Sequence, residues 1–125
     1  MSNVRLGELA ERIAVAFLQM KGHAILATNY RFQRHEIDIV SQVDRRIIFV
    51  EVKCRSGLRY GLPRQAVGAE KMRRIVRAAS GFLVERRLTD RSTRFDVVEV
   101  RVEHGGLSLA VEHIVGAFGA DMRGW

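Results

Sequence analysis

The 125-residue chain is short of several residue types, and each shortage excludes something. It has one cysteine, Cys54, so an intramolecular disulfide and a multi-cysteine zinc site are both ruled out, and a reducing compartment fits. Cys54 itself reads as a small buried hydrophobe rather than a nucleophile. There is one proline, Pro63, and it marks a loop rather than a strand or helix interior. No apolar run approaches the length of a membrane span, so no membrane partner is expected. Glu8 and Glu11 interrupt the first apolar pattern, and no secretory layout precedes it; the expected compartment is the cytoplasm. Internal repeats, low-complexity tracts and linkers are absent.

Lysine is also scarce, at Lys21, Lys53 and Lys71 only, yet the formal charge is +7 and the isoelectric point is near 10.7. Arginine therefore carries the excess. Such a charge attracts phosphate polymers or anionic surfaces, and arginine suits bidentate phosphate contacts, although a compositionally biased genome produces the same preference. A hydrophobic fraction of 47% with 28% charged residues describes an ordinary globular protein, and the length predicts one domain over residues 1–118 with a tail at 119–125.

Leu6, Leu9, Ala10, Ile13, Phe17 and Met20 recur at helical spacing, predicting a helix from Leu6 to Lys21 that Gly22 ends. Strand patterns follow at His23–Arg31, Glu36–Ser41 and Arg46–Arg55, the last two forming a hairpin through Val43-Asp44-Arg45. After a loop at Ser56–Pro63, a second helix is expected from Arg64 to Leu88. Its apolar stripe is Met72, Ile75, Val76, Ala79, Phe82 and Leu83, with Arg73, Arg74 and Arg77 behind. Strands at Phe95–Glu103 and Leu107–Val115, joined by His104-Gly105-Gly106, complete the order α-β-β-β-α-β-β. This order predicts an α/β fold, a sheet with helices packed on it.

The charges inside the first hairpin are the chemically informative feature. A turn centred on Asp44-Arg45 pairs Asp38 with Glu51 and Glu36 with Lys53 on one face. Carboxylates directly opposite each other, on Cβ atoms about 5 Å apart, repel unless something offsets them. A hard divalent cation, Mg²⁺ or Mn²⁺, does so through oxygen ligands, with the Val52 carbonyl at the right depth to add one. Lys53, two residues beyond Glu51, is then placed to neutralise a bound phosphate or position a water. Glu-x-Lys alone usually means a polar strand face. Here the strand before it is apolar on both faces, so an idle glutamate is costly.

Glu8, Asp38 and Glu51-Val52-Lys53, in that order, resemble the PD-(D/E)XK nuclease superfamily and its archaeal-type Holliday junction resolvases. Gly7-Glu8-Leu9-Ala10, Asn29-Tyr30-Arg31, Glu36-Ile37-Asp38, Phe49 to Arg55 and the basic helix from Lys71 also resemble the YraN family of small bacterial proteins, over Gly7 to about Phe118. The resemblance implies a restriction endonuclease-like core, a mixed sheet flanked by helices. Asp38 and Glu51 become ligands of Mg²⁺ or Mn²⁺, Lys53 stands beside the attacking water, and Glu8 completes the site from the first helix. The implied activity is hydrolysis of phosphodiester bonds in DNA, including branched or damaged forms, by a homodimer. The alternatives are a non-catalytic nucleic-acid-binding protein on the same fold, or a basic adaptor whose Glu-x-Lys is a salt-bridged face. Arg31, Arg34, Arg55, Arg59 and Arg64 flank the site as phosphate contacts, which give affinity without sequence preference. Two positions depart from the family patterns: Ile37 stands where many members have proline, and His35 where glycine is usual. His35 reads either as a tolerated loop residue or as a phosphate or proton-transfer group.

Overall fold

The computed structural model describes residues 3–56, 68–103 and 108–118. The elements are α1 (Asn3–Met20), β1 (Ala24–Phe32), β2 (His35–Val43), β3 (Arg46–Ser56), α2 (Ala69–Glu85), β4 (Thr93–Glu103) and β5 (Ser108–Phe118). They follow the expected order. The strands form one sheet, β1-β2-β3-β4-β5, in which β3 and β4 are parallel and the other neighbours antiparallel. A parallel pair needs a crossover, and α2 lies within it. Among the described residues, no helix is long and apolar enough to cross a membrane.

Alternation along β3 assigns the two faces. Ile47 and Phe49 meet Ile75, Ala78, Ala79 and Phe82 of α2, whereas Ile48 and Val50 meet Ala10, Ala14 and Leu18 of α1. Buried on both sides, the centre of β3 is a continuous apolar run for the reason a covered strand must be. On α2 the exposed Arg73, Arg74 and Arg77 form the expected basic back. Cys54 packs at the edge of the α1 core, and burial pushes its thiol pKa up, in keeping with a packing role.

Several boundaries and faces differ from expectation. The buried line of α1 is Ala10, Ala14 and Leu18, while Leu9 is 40% and Met20 86% exposed. Small alanines let a helix approach a sheet closely, so the packing face is rotated from the stripe of larger apolar residues. The described part of α2 begins at Ala69; Arg64 and the loop expected up to Pro63 lie outside the described residues beyond Ser56, as do His104-Gly105-Gly106 and the tail at 119–125. β5 continues through Gly116 to Phe118 instead of ending at Val115. Gly116 has φ +62°, a conformation glycine adopts without strain, and its N–H is held by Asp96 at 2.9 Å.

The tip of the β1–β2 hairpin is packed against the C-terminal half of α2. A Cβ built on Gly81 would stand 2.3 Å from Cδ1 of Phe32. Gly81→Ala would gain up to about 1 kcal/mol of helix propensity but lose about 1–3 kcal/mol to overpacking. Thermal melting is expected to show a net loss that Phe32→Leu in the same chain restores; a Gly81→Ala protein melting above the wild type would contradict the close approach.

Candidate metal and phosphate site

The register of the β2–β3 hairpin is the one expected from Val43↔Arg46 to Ile39↔Val50. There the ladder stops. At the next position the Asp38 carboxylate replaces a backbone acceptor, taking the Val52 N–H on Oδ2 at 2.8 Å. The two strands therefore fork at Asp38 and Glu51. Ile37 and Val40 share the α2 core while Ile39 lies in the α1 core, so side-chain alternation slips by one around Asp38. This overturns the expected pairing of Glu36 with Lys53: beyond the fork Glu36 pairs across β1 with Arg31, their side chains 3.6 Å apart.

Glu51 is buried, its side chain 8% exposed, at the end of the apolar run of β3. Two lysines meet its Oε1: Lys71 from the first turn of α2 at 2.7 Å and Lys53 from its own strand at 3.6 Å. Burial and the Glu51 charge push the Asp38 pKa up to about 7, against the lowering effect of the Val52 N–H. Burial, then the Lys71 ammonium, lowers the Lys53 pKa. Burial also opposes charge on Lys71, but its bonds to Glu51 and Lys53 outweigh that and raise its pKa. A cavity of about 290 Å³ opens here, walled by Asp38, Glu51, Lys71, Arg34, His35 and Arg74.

The remaining expected site residues divide. His35 lines the cavity, and its Nδ1 is buried with no hydrogen-bond partner among the described residues. Arg34 is in the same wall, and Arg31 is exposed beside Glu36. Arg55 instead lies 3.6 Å from the fully buried Glu99, which also binds Arg101, so its charge is matched within the sheet. Arg59 and Arg64 lie outside the described residues.

Glu8 is exposed on a neighbouring groove between α1 and β1, with Glu11, Arg12 and Asn29. The α1 carboxylate whose field reaches Asp38 and Glu51 is Glu11, whose pKa burial raises, joined by Glu36, Glu51 and Glu8 and opposed by a bond from Asn29. At about 100° per residue, Glu11 lies about 60° from the centre of the buried line at Ala14, and Glu8 about 120°. The sequence reading passed over Glu11, Lys71 and Arg74 as site residues. Lys71 and Arg74 had appeared only as members of the basic helix, and Glu11 only as an interruption of an apolar pattern.

Among the described residues, no group of three or more His, Cys, Asp or Glu side chains is drawn together as a metal cage. Two carboxylates at the fork, one whose pKa is raised by burial and by the other's charge and the second covered by ammonium groups, are oxygen donors of the kind a hard cation takes while keeping most of its waters.

Residues 10–100 match the sequence profile of an uncharacterised protein family, UPF0102, a range that takes in Glu11 and leaves out Glu8. A UPF0102 protein of Syntrophotalea carbinolica is 48% identical over 120 residues, covering 96% of this chain and 94% of that one. One from Clostridioides difficile is 39% identical over 118 residues, 94% of this chain and all of its relative. Another from Acetivibrio thermocellus is 46% identical over 109 residues, 86% and 84% of the two chains. The YraN resemblance drawn from the motifs is thus one of kinship, and the chain belongs to the uncharacterised protein family UPF0102.

Proposed function

We propose that the protein is a metal-dependent endonuclease that hydrolyses phosphodiester bonds in DNA, on a restriction endonuclease-like core. The observation that carries this reading is the fork, where Asp38 and a buried Glu51 converge with Lys53 and Lys71 beside a cavity walled by further cations. A mixed sheet with a helix on each face, in the order α-β-β-β-α-β-β, supports it.

Asp38 and Glu51 would hold Mg²⁺ or Mn²⁺, with Glu11 as the nearby α1 carboxylate in the role first given to Glu8. When bound, the cation supplies Lewis acidity at a phosphoryl oxygen and an acidified water. The chain's own residues do the rest. Lys53 neutralises charge on the phosphate and orients the attacking water, and its lowered pKa suits a group that handles protons there. Arg34 and Arg74 grip flanking phosphates, with Arg31 at the hairpin rim. Contacts of this kind carry no sequence information, so binding is expected to depend on DNA shape and to weaken steeply with salt.

The test is cleavage of labelled four-way junction, duplex and single-stranded DNA with Mg²⁺, Mn²⁺ or chelator. Cation-dependent cleavage, lost in Glu51→Gln and Lys53→Ala, is expected. Cleavage that survives either substitution overturns the assignment of these residues. Salt-sensitive binding with no cleavage under any cation leaves the non-catalytic nucleic-acid-binding reading in its place.

A further inference from the structure

Glu51 has more positive charge around it than one carboxylate needs. Its Oε1 lies 2.7 Å from the Lys71 ammonium and 3.6 Å from that of Lys53, whereas Asp38 has a backbone N–H on Oδ2 and no salt bridge among the described residues. The two lysines are held differently. Lys53 follows Glu51 on the same strand, so their proximity is set by the pleat, and its side chain is 21% exposed. Lys71 comes from the third residue of α2, on a flexible four-carbon stem, and is 43% exposed. It has a way out to solvent and to the cavity wall beside Arg34 and His35.

We propose that Lys71 is a displaceable counter-ion: it holds the Glu51 oxygen that a divalent cation would take, and cation binding drives it off that oxygen into the phosphate-binding wall. This rests on reading Asp38 and Glu51 as cation ligands. Adding a divalent ion while Lys71 remains at 2.7 Å would set two cations on one oxygen, and departure of the mobile one relieves the repulsion. Displaced, Lys71 becomes a donor for a backbone phosphate next to the site. A phosphodiester that holds Lys71 away from Glu51 would then raise cation affinity, and the cation would raise phosphodiester affinity by the same factor. Arg74 is less suited to this exchange, because it is bound at 2.6 Å to Glu70 one turn earlier on its own helix.

The experiment is Mn²⁺ titration of the full chain without nucleic acid, with free Mn²⁺ followed by electron paramagnetic resonance. It compares wild type, Lys71→Met, Lys71→Arg and Asp38→Asn, each checked for cooperative melting. Lys71→Met is expected to bind Mn²⁺ at least about fivefold more tightly than wild type, the lower end of ordinary site-to-site coupling. Lys71→Arg, which keeps the charge and forks onto a carboxylate, is expected to bind no more tightly than wild type. Binding by Lys71→Met where wild type shows none supports the proposal equally. If wild type binds and Asp38→Asn does not, but Lys71→Met binds no more tightly, the counter-ion proposal is overturned while the metal-site reading stands. If wild type binds and Asp38→Asn binds as tightly, or no variant binds, the metal-site reading fails and this proposal with it.

Discussion

Asp96→Ala is expected to cost the fold about 3–5 kcal/mol, the range for removing one partner of a buried charge network. Against a total stability of about 5–15 kcal/mol, that brings the chain near unfolding. Asp96 is fully buried on β4. Both of its oxygens receive the Arg94 guanidinium at 2.9 Å, Oδ2 also meets His113 Nε2 at 2.8 Å, and Oδ1 takes the Gly116 N–H. Lys21, at the end of α1, donates to His113 Nδ1 at 2.7 Å, which leaves the Nε2 hydrogen for Asp96. One carboxylate thus ties together α1, β4 and the register shift of β5. Alanine would leave an arginine, a histidine and a backbone N–H short of an acceptor.

Burial pushes the Asp96 pKa up, but the bonds from His113, Arg94 and Gly116 overcome it and hold the pKa at about 2, below its ordinary 3.8. A carboxylate depressed in the folded state contributes stability that is complete above about pH 4 and is lost as pH falls through about 2. Urea unfolding at neutral pH checks the first claim, and acid titration of wild type against Asp96→Asn checks the second. An Asp96→Ala midpoint within about 1 kcal/mol of wild type would mean that the network contributes little net stability.

Asp38→Asn is expected to act in opposite directions on stability and on activity. Folding raises the Asp38 pKa from 3.8 to about 7, so the folded state binds this proton more tightly than the unfolded chain. Stability without metal therefore falls as pH rises from about 4 through about 7, and the cost persists above that. Asparagine keeps the shape and an acceptor for the Val52 N–H but removes the charge facing Glu51. At pH 8 without metal, its melting temperature is expected to rise by an amount on the order of 5 °C, a gain that vanishes near pH 4. Under the proposed function, the same substitution removes a cation ligand. Cleavage should fall by more than about a hundredfold, since losing even an outer-sphere partner of a metal ligand costs about 10–100-fold. An Asp38→Asn protein less stable than wild type at pH 8 would contradict the account of two opposed carboxylates at the fork. The pattern is that of a site kept at some cost to the fold.

Much of the architecture was legible because it depends on short-range periodicity. The elements of both hairpins, the apolar face of α2 and the pairing of β2 with β3 up to Ile39 follow from alternation, helical spacing and turn residues. Asp38, Glu51 and Lys53 stood out for the same reason, as charges where a covered strand should have none. The pairing of Glu36 with Lys53 does not form because a register inferred from a turn assumes that both strands continue, and here the ladder ends at Ile39 and Val50. The packing face of α1 was misplaced because its larger apolar residues do not mark it; two alanines and Leu18 do.

By itself, the sequence determined the order of the elements, the covered character of β3, and the charges Asp38 on β2 and Glu51 and Lys53 on β3, because those are properties of neighbours along the chain. Tertiary structure alone decided which charges meet. Lys71 reaches Glu51 from another element, Arg55 is claimed by Glu99 on β4, and Asp96 collects partners from α1, β4 and β5. The physical reason is that such pairings depend on how closely each helix approaches the sheet and where two strands separate. Those distances are set by packing between distant segments, on which local periodicity carries no information.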